Sequence, residues 1–160
     1  MFYSLFDTRF GTACLVSRGR GIKSFYLPDT RSNIIKRVRR DYPGSVIRKD
    51  PEIRKAEALL KRYFSGQKVS FKKVRLDGLK TGRFAAGVLK RTASIPYGKV
   101  RSYKWAGAGR PRPAGNALGI NPVPVIIPCH RVIKSDGSLG GFSGGRGWKK
   151  RLLELEGIDC

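Results

Sequence analysis

The chain has few of the residues from which metal centres and disulfide frameworks are built. Its 160 residues include one histidine, His130, and three widely spaced cysteines, Cys14, Cys129 and Cys160. An odd number of isolated cysteines, with no Cys-x-x-Cys pair, argues against a disulfide framework and against a structural zinc site, and it favours a reducing compartment. We therefore expect no metal and no cofactor.

Long apolar runs are absent as well. No stretch comes near the ~20 consecutive apolar residues that are needed to span a bilayer. Residues 1–7 lack the basic start and the small-residue cleavage site of a secretion signal. No long amphipathic basic helix stands out that would lie on an anionic membrane. The sequence therefore predicts a cytoplasmic protein that does not associate with membranes.

Acidic residues are scarce, since 11 of them face 34 lysines and arginines, and the net charge is +23. Such an excess repels itself within the folded chain and attracts polyanions at long range, and DNA or RNA fits best. Asparagine and glutamine are also rare, with three and one. Few amides together with many charges are typical of proteins from thermophiles.

The chain is long enough for one large or two small domains, and 40% of its residues are apolar. We expect an α/β (α+β) fold: a small mixed domain at 1–76, a linker at 77–82 and a mostly helical domain at 83–160. In the first domain, strand-like runs at 1–6, 11–16 and 22–27 surround a turn at 19–21. Helices are predicted at 33–41, capped by Ser32, and at 51–64.

In the second domain, helical patterns occur at 84–94, 103–106, 114–120 and 148–156. The short helices at 103–106 and 114–120 flank a turn that contains glycine, which is the spacing of a helix-turn-helix motif, although many helical hairpins look alike. Ser102 would cap the first of them, and Arg112 stands at the edge of the second. Small residues in the second helix would let its backbone approach a DNA surface closely: Ala114, Gly115 and Ala117.

A cysteine next to the single histidine is the strongest chemical signal. The apolar residues 123–127 predict a buried extended segment that leads to Cys129. A free thiol has a pKa of roughly 8.5 and needs a nearby base or positive charge to become a nucleophile; His130 and Arg131 follow directly. Neighbouring residues of a strand point to opposite faces, so a water or a bend at Pro128 would have to connect thiol and imidazole.

Glu156 would orient the imidazole if the last helix packs behind the cysteine. A cysteine after an apolar run is more often a core residue, however, so the residues alone leave both interpretations open. Backbone donors of the glycine-rich loop at 140–145 are available to a ligand in either case.

Residues 121–133 read Asn-Pro-Val-Pro-Val-Ile-Ile-Pro-Cys-His-Arg-Val-Ile, and residues 95–105 read Ile-Pro-Tyr-Gly-Lys-Val-Arg-Ser-Tyr-Lys-Trp. The loop at 140–145 and the Leu-Glu-Gly at 155–157 follow at matching spacing. Residues 95–157 thereby resemble the methylated-DNA–protein-cysteine methyltransferase family, the O6-alkylguanine-DNA alkyltransferases. The N-terminal half is similar only in outline.

The resemblance implies DNA repair by direct damage reversal. A monomer would transfer an alkyl group once, from O6-alkylguanine or O4-alkylthymine in double-stranded DNA to Cys129. The helix-turn-helix would lie in the minor groove. The O6 edge of guanine faces the major groove, so the damaged base would be flipped out into a pocket.

The resemblance also implies roles for catalytic residues. Cys129 would be the acceptor, His130 its water-linked base and Glu156 the residue that orients the histidine. Tyr103 would donate a proton or hydrogen bond to the departing guanine and crowd the phosphate of the flipped nucleotide. Asn121 would tie the recognition helix to the active-site segment.

DNA and pocket residues follow from the same match. Arg112 would enter the base stack, and Lys104 and Ser135 would touch the DNA backbone. The pocket residues would be Ser143, Val132, Pro124 and Gly140, with the carbonyls of residues 129 and 132 reading the guanine amino group.

Two features depart from the family pattern. The segment between Tyr103 and Arg112 is shorter than in some relatives, and Pro113 stands where an ordinary helix former is common. Two other functions remain as alternatives. One is a non-catalytic, alkyltransferase-like damage-binding protein, although such proteins replace the cysteine. The other is a basic nucleic-acid scaffold whose cysteine is only a core residue.

Overall fold

The computed structural model describes residues 1–160, which form two compact units, Met1–Leu79 and Lys80–Cys160. The division falls inside residues 77–82, the expected linker. The fold is mixed α/β, with one four-stranded sheet, a two-stranded sheet and six helices. None of these helices has the length and apolar character needed to cross a membrane.

The first unit is a sheet with two helices. The strand order is β3-β2-β1-β4, antiparallel except that β4 runs parallel to β1. The β2–β3 connection contains the predicted turn at 19–21, where Gly19 has a φ of 85°. The elements are β1 (Phe2–Thr8), β2 (Gly11–Ser17), β3 (Ile22–Asp29), α1 (Arg31–Asp41), β4 (Val46–Ile47) and α2 (Pro51–Phe64).

Both helices of this unit follow from their apolar spacing. Ile34 and Val38, one helical turn apart, pack with the core residues of β2 and β3. The predicted cap of α1 is wrong: Thr30, not Ser32, accepts the Asn33 amide hydrogen bond, because the helix begins two residues earlier than expected. The second helix has the predicted bounds, with its N-terminus capped by Asp50.

The second unit contains the remaining elements. They are α3 (Arg83–Ala93), β5 (Arg101–Ser102), α4 (Tyr103–Ala106), α5 (Pro111–Gly119), a 3₁₀ turn (Cys129–Arg131), β6 (Val132–Ile133) and α6 (Arg146–Leu155). Strands β5 and β6 pair in parallel, with Ser102 opposite Ile133. This short ladder places the start of α4 beside the segment that carries Cys129.

A tight turn connects α4 to α5. Ser102 caps α4 as predicted, since its hydroxyl accepts from the Trp105 amide. A Cβ on Gly107 would lie 2.2 Å from the Arg110 carbonyl oxygen, so this turn requires glycine. The second helix begins at Pro111, three residues before the predicted start, which places Arg112 within its first turn.

The small residues of α5 face two ways. Ala114 and Ala117 are buried, because α5 packs against α3 and α4. The expectation that these two alanines contact DNA is therefore wrong, since their small side chains serve close helix packing. Gly115 is partly exposed and lines a cavity described below.

The segment at 123–127 is buried, as predicted, but it is not extended. The Ile127 amide donates to the Val123 carbonyl at 2.9 Å, and Val125 has a φ of 71°. Prolines at 122, 124 and 128 remove backbone donors, which favours turns over a strand. Cys129 and His130 therefore lie on a 3₁₀ turn, and the alternation of a strand does not govern where their side chains point.

Candidate active site

Cys129 lies in the wall of a cavity of about 510 Å³ in the second unit. Its side chain is buried, with 4% of the residue exposed, yet it borders this space. The volume is typical of a small-molecule site. Six other predicted site residues also line the cavity: Tyr103, Arg112, Gly115, Ser135, Gly140 and Ser143.

Asn121 is the nearest polar partner of the sulfur. Its Nδ2 donates to Cys129 Sγ at 3.2 Å and to the Ile127 carbonyl at 2.9 Å. Its Oδ1 accepts from the Val123 amide at 3.1 Å, which closes the turn before the cysteine. Asn121 follows α5 directly and thus connects that helix to the segment that carries Cys129.

Burial and hydrogen bonding act on the thiol in opposite directions. Burial raises the pKa of Cys129 to about 11, although the Asn121 hydrogen bond and the charge of Lys149 lower it. The resting group at neutral pH is therefore a thiol, and its proton has to leave before the sulfur reacts.

His130 and Glu156 form a buried pair, with His130 Nε2 at 2.6 Å from Glu156 Oε1. Burial lowers the pKa of His130 despite the carboxylate, so the ring is neutral at pH 7. A carboxylate is acceptor-only, which assigns the ring proton to Nε2 and a lone pair to Nδ1. The imidazole is therefore oriented as a base.

Arg131 holds the carboxylate from the other side. Its Nε and Nη2 donate to Glu156 at 2.9 and 3.0 Å, and its Nη1 donates to the Ile95 carbonyl at 2.7 Å. The Gly98 amide donates to Glu156 Oε2 at 3.0 Å. Burial alone would raise the pKa of Glu156, but His130 and Arg131 outweigh it and the pKa falls to about 2.

Sequence reasoning missed Lys149, which is fully buried. Its Nζ donates to the Val132 carbonyl at 2.6 Å, to the Tyr103 hydroxyl at 3.0 Å and to the Gly141 carbonyl at 3.1 Å. Burial lowers its pKa to about 8. The available signal was its spacing, three and four residues before the buried Leu152 and Leu153 of α6.

The loop at 140–145 approaches Tyr103 closely. Gly140 has a φ of 73°, and a Cβ there would lie 2.8 Å from the tyrosine ring and its hydroxyl. The Tyr103 hydroxyl donates to the Gly141 carbonyl at 3.1 Å. Near Tyr103 the loop thus offers a backbone acceptor, whereas the sequence suggested backbone donors.

Eight predicted site residues do not line the cavity, and five of them have been described above: Asn121, His130, Glu156, Ala114 and Ala117. Of the other three, Pro124 and Val132 are buried, and Lys104 is exposed on α4. The Val132 carbonyl, expected to face the substrate, accepts from Lys149. The structure thus brings Cys129 and Asn121 together and joins His130 to Glu156.

The C-terminal unit matches the family model of the 6-O-methylguanine DNA methyltransferase DNA-binding domain over residues 83–158. The methylated-DNA–protein-cysteine methyltransferase of Methanosarcina barkeri is 35% identical over 163 residues, which cover 98% of this chain and 97% of that protein. The protein of the same name from Methanothermobacter thermautotrophicus is 42% identical over 109 residues, which cover 66% of this chain and 62% of the relative.

Solved structures agree over nearly the whole chain. The Mycobacterium tuberculosis OGT in complex with DNA has a TM-score of 0.79 and 32% identity, and the match covers 98% of this chain and 92% of that one. The O6-methylguanine-DNA methyltransferase of Pyrococcus kodakaraensis, at 24% identity and a TM-score of 0.75, shares the fold.

Fold and site together define a mixed α/β protein with a buried cysteine at the wall of a substrate-sized cavity. With the M. barkeri relative matched along almost its entire length, the chain belongs to the methylated-DNA–protein-cysteine methyltransferase family.

Proposed function

We propose that this protein repairs DNA by moving an alkyl group from O6-alkylguanine, and from O4-alkylthymine, onto its own Cys129. The observation that carries this proposal is the setting of Cys129. The residue borders a cavity of about 510 Å³, and its sulfur accepts a hydrogen bond from Asn121. The next residue of the same turn is His130, which forms a buried pair with Glu156.

The transfer is an in-line displacement. The Cys129 sulfur attacks the alkyl carbon, the carbon–O6 bond breaks, and its electron pair passes to the purine. The guanine ring gains one proton and the sulfur loses one, so protons balance. A thioether is not readily hydrolysed, and each molecule therefore acts once.

The proton on sulfur leaves through His130. The thiol is protonated at rest, and the neutral imidazole presents its Nδ1 lone pair as base through a bridging water. Glu156, held ionised by Arg131, stabilises the imidazolium that forms. Asn121 stabilises the thiolate by donating to it.

Double-stranded DNA is the substrate that fits the charge of +23. We assign α4 and α5 to a helix-turn-helix that enters the minor groove. The exposed Arg112 at the cavity edge would replace the flipped base in the stack. Tyr103 would crowd the phosphate of that nucleotide and assist the departing guanine, while Lys104 and Ser135 would contact the backbone.

The remaining assignments follow the same geometry. Gly140 and Ser143 border the flipped base, while the buried Pro124 and Val132 belong to the segments before and after the Cys129 turn. Residues 83–160 carry the chemistry, 77–82 are the linker, and 1–76 add support and positive charge. With chromosomal DNA as substrate, the protein acts as a monomer inside the cell.

Intact mass spectrometry tests the proposal. Incubation with an oligonucleotide duplex that contains O6-methylguanine should add one methyl group per protein molecule, and Cys129→Ser should abolish the gain. Cys160→Ser, which removes an exposed thiol, is the matched control and should react fully. Lesion-selective binding with no gain in mass would support a damage-binding protein instead.

A further inference from the structure

Lys149 is a buried cation for which the transfer mechanism gives no role. Lysine is almost never fully buried unless its charge is paired. Its three hydrogen-bond acceptors are neutral oxygens, and no carboxylate forms a salt bridge with it. Burying an unpaired charge costs free energy of folding, and an apolar side chain at this position of α6 would avoid that cost. The ammonium group should therefore have a function that an apolar side chain could not perform.

The three acceptors belong to three different segments of the chain, and two of these residues, Tyr103 and Gly141, line the cavity. The Tyr103 hydroxyl comes from the start of α4, and the Gly141 carbonyl comes from the glycine-rich loop. The Val132 carbonyl comes from β6, directly after the turn that carries Cys129. One ammonium group therefore joins the tyrosine, the loop and the cysteine segment.

We propose that Lys149 is a positioning residue for the alkylated base. By holding Tyr103 and Gly141 to the segment after Cys129, its ammonium keeps the face that receives the purine at a set distance from the sulfur. This inference rests on the proposed alkyl transfer and extends it to a residue outside the cysteine–histidine–glutamate set.

The geometry of the reaction explains why these hydrogen bonds of Lys149 matter. Displacement requires the alkyl carbon to lie in line between sulfur and oxygen, and a misplacement of about 1 Å costs on the order of 100-fold in rate. Tyr103 and Gly141 line the cavity, while the loop is glycine-rich and would otherwise be free to move.

An electrostatic role is the competing explanation. The positive charge of Lys149 also lowers the pKa of Cys129, so losing it would make the thiol less reactive toward every electrophile. A positioning role predicts a loss confined to substrates that carry a base. The two roles are therefore separable by comparing two electrophiles.

The experiment uses the full chain with Lys149→Met, which keeps the length of the side chain and removes its donors. Two rate constants are measured at one pH: benzyl transfer from free O6-benzylguanine, and alkylation of Cys129 by iodoacetamide, which has no base to position. We expect the first to fall about 100-fold and the second to change less than about threefold. Lys149→Arg, which keeps charge and donors, should recover part of the transfer rate.

A double-mutant cycle with Tyr103→Phe adds a readout that general loss of structure would not produce. If the ammonium acts through the tyrosine hydroxyl, the double variant should react no more slowly than the slower of the two single variants. Should Lys149→Met not fold, Lys149→Gln, which retains amide donors, enters the same comparison.

Equal losses with both electrophiles, or unchanged benzyl transfer, would overturn the inference. Strictly multiplicative effects in the cycle would do the same. These outcomes are distinct from failure of the proposed function, because that failure would appear first as absence of benzyl transfer by the unmodified protein.

Discussion

At the scale of single residues, the site is a balance between burial and hydrogen bonding. The Cys129 thiol is kept protonated by burial, while Asn121 and Lys149 favour the thiolate. Such a sulfur is protected from chance electrophiles and reacts when a substrate is held against it. Among the groups that lower the pKa of this thiol, the hydrogen bond from Asn121 has the largest effect, so the reactivity of the sulfur should respond most to its loss.

Replacing Asn121 with alanine should raise the pKa of the Cys129 thiol further, because the donor to sulfur is lost. We expect the rate of carbamidomethylation by iodoacetamide near neutral pH to fall about tenfold, as one pKa unit would give. Asn116→Ala, an exposed amide on α5, is the control and should leave the rate unchanged. An unchanged rate in Asn121→Ala would show that this hydrogen bond does not tune the thiol.

Glu156→Gln should destabilise the protein by about 3 kcal/mol at pH 7, because it leaves the buried Arg131 without its counter-ion. Chemical denaturation measures this free energy of unfolding. Glu154→Gln, at an exposed position of α6 two residues earlier, is the control and should cost less than about 0.5 kcal/mol.

The loss of stability caused by Glu156→Gln should also depend on pH. The folded-state pKa of Glu156 is about 2, below its ordinary 4.5, so its contribution to stability is complete above pH 4.5 and is lost as the pH falls toward 2. The difference between the unmodified protein and Glu156→Gln should shrink over that window. A difference that stays constant down to pH 2 would contradict the ionised pair.

Sequence reasoning at this scale predicted Cys129, His130 and Asn121 from the motif at 121–133, and Glu156 from the Leu-Glu-Gly at 155–157. It missed Lys149 because the chain has 34 basic residues and most of them are exposed. Only tertiary packing distinguishes the buried one. The burial of Arg131 beside Glu156 likewise depends on tertiary packing, because α6 packs against the 3₁₀ turn that contains Arg131.

At the scale of secondary-structure elements, the glycine-rich loop is the part whose conformation is most constrained. Gly140→Ala should slow benzyl transfer from O6-benzylguanine and lower stability by about 1–2 kcal/mol, since a left-handed φ disfavours alanine. The new Cβ would also displace the Tyr103 ring. Transfer rates and denaturation curves measure the two effects.

Gly147→Ala, near the start of α6 and outside the cavity lining, is the control for that substitution. No atom lies within 4 Å of a Cβ built there, and its φ is not positive. We expect near-normal transfer and stability. If both alanine variants behaved alike, contact between the loop and Tyr103 would not be the cause.

Element bounds were predictable where a cap or proline marks them, as at α2, which follows Asp50 and begins at Pro51. The segment at 123–127 was not, because an apolar β-branched run is typical of a strand. Its prolines and the φ of 71° at Val125 turn it back on itself. The start of α5 was displaced because Pro111, and not Pro113, occupies the first helical position.

At the scale of the whole molecule, the net charge of +23 favours DNA as the binding partner. Lysines and arginines occur throughout both units, and they should give DNA binding a steep salt dependence. If about six phosphates are contacted, affinity for duplex DNA should fall roughly 10³-fold between 50 and 200 mM salt. Fluorescence anisotropy measures it, and a flat response would exclude phosphate contacts as the main source of affinity.

The proposed extrusion of the damaged base also belongs to this scale, because it would require duplex DNA and protein together. Arg112→Ala should slow repair of duplex DNA by about tenfold or more, since unstacking a base costs a few kcal/mol. Its reaction with free O6-benzylguanine should be nearly normal. Lys150→Ala removes an exposed charge that does not line the cavity and serves as control. Equal losses on duplex and free base would remove Arg112 from the extrusion step.

The most direct test follows the methyl group itself. An oligonucleotide duplex labelled at the methyl of O6-methylguanine is incubated with the protein, and both products are digested and mapped. We expect one label per protein molecule on the peptide that contains Cys129, and an intact strand in which the lesion has become ordinary guanine. Label on Cys14 or Cys160, or a strand with a missing or excised base, would contradict direct transfer to this sulfur.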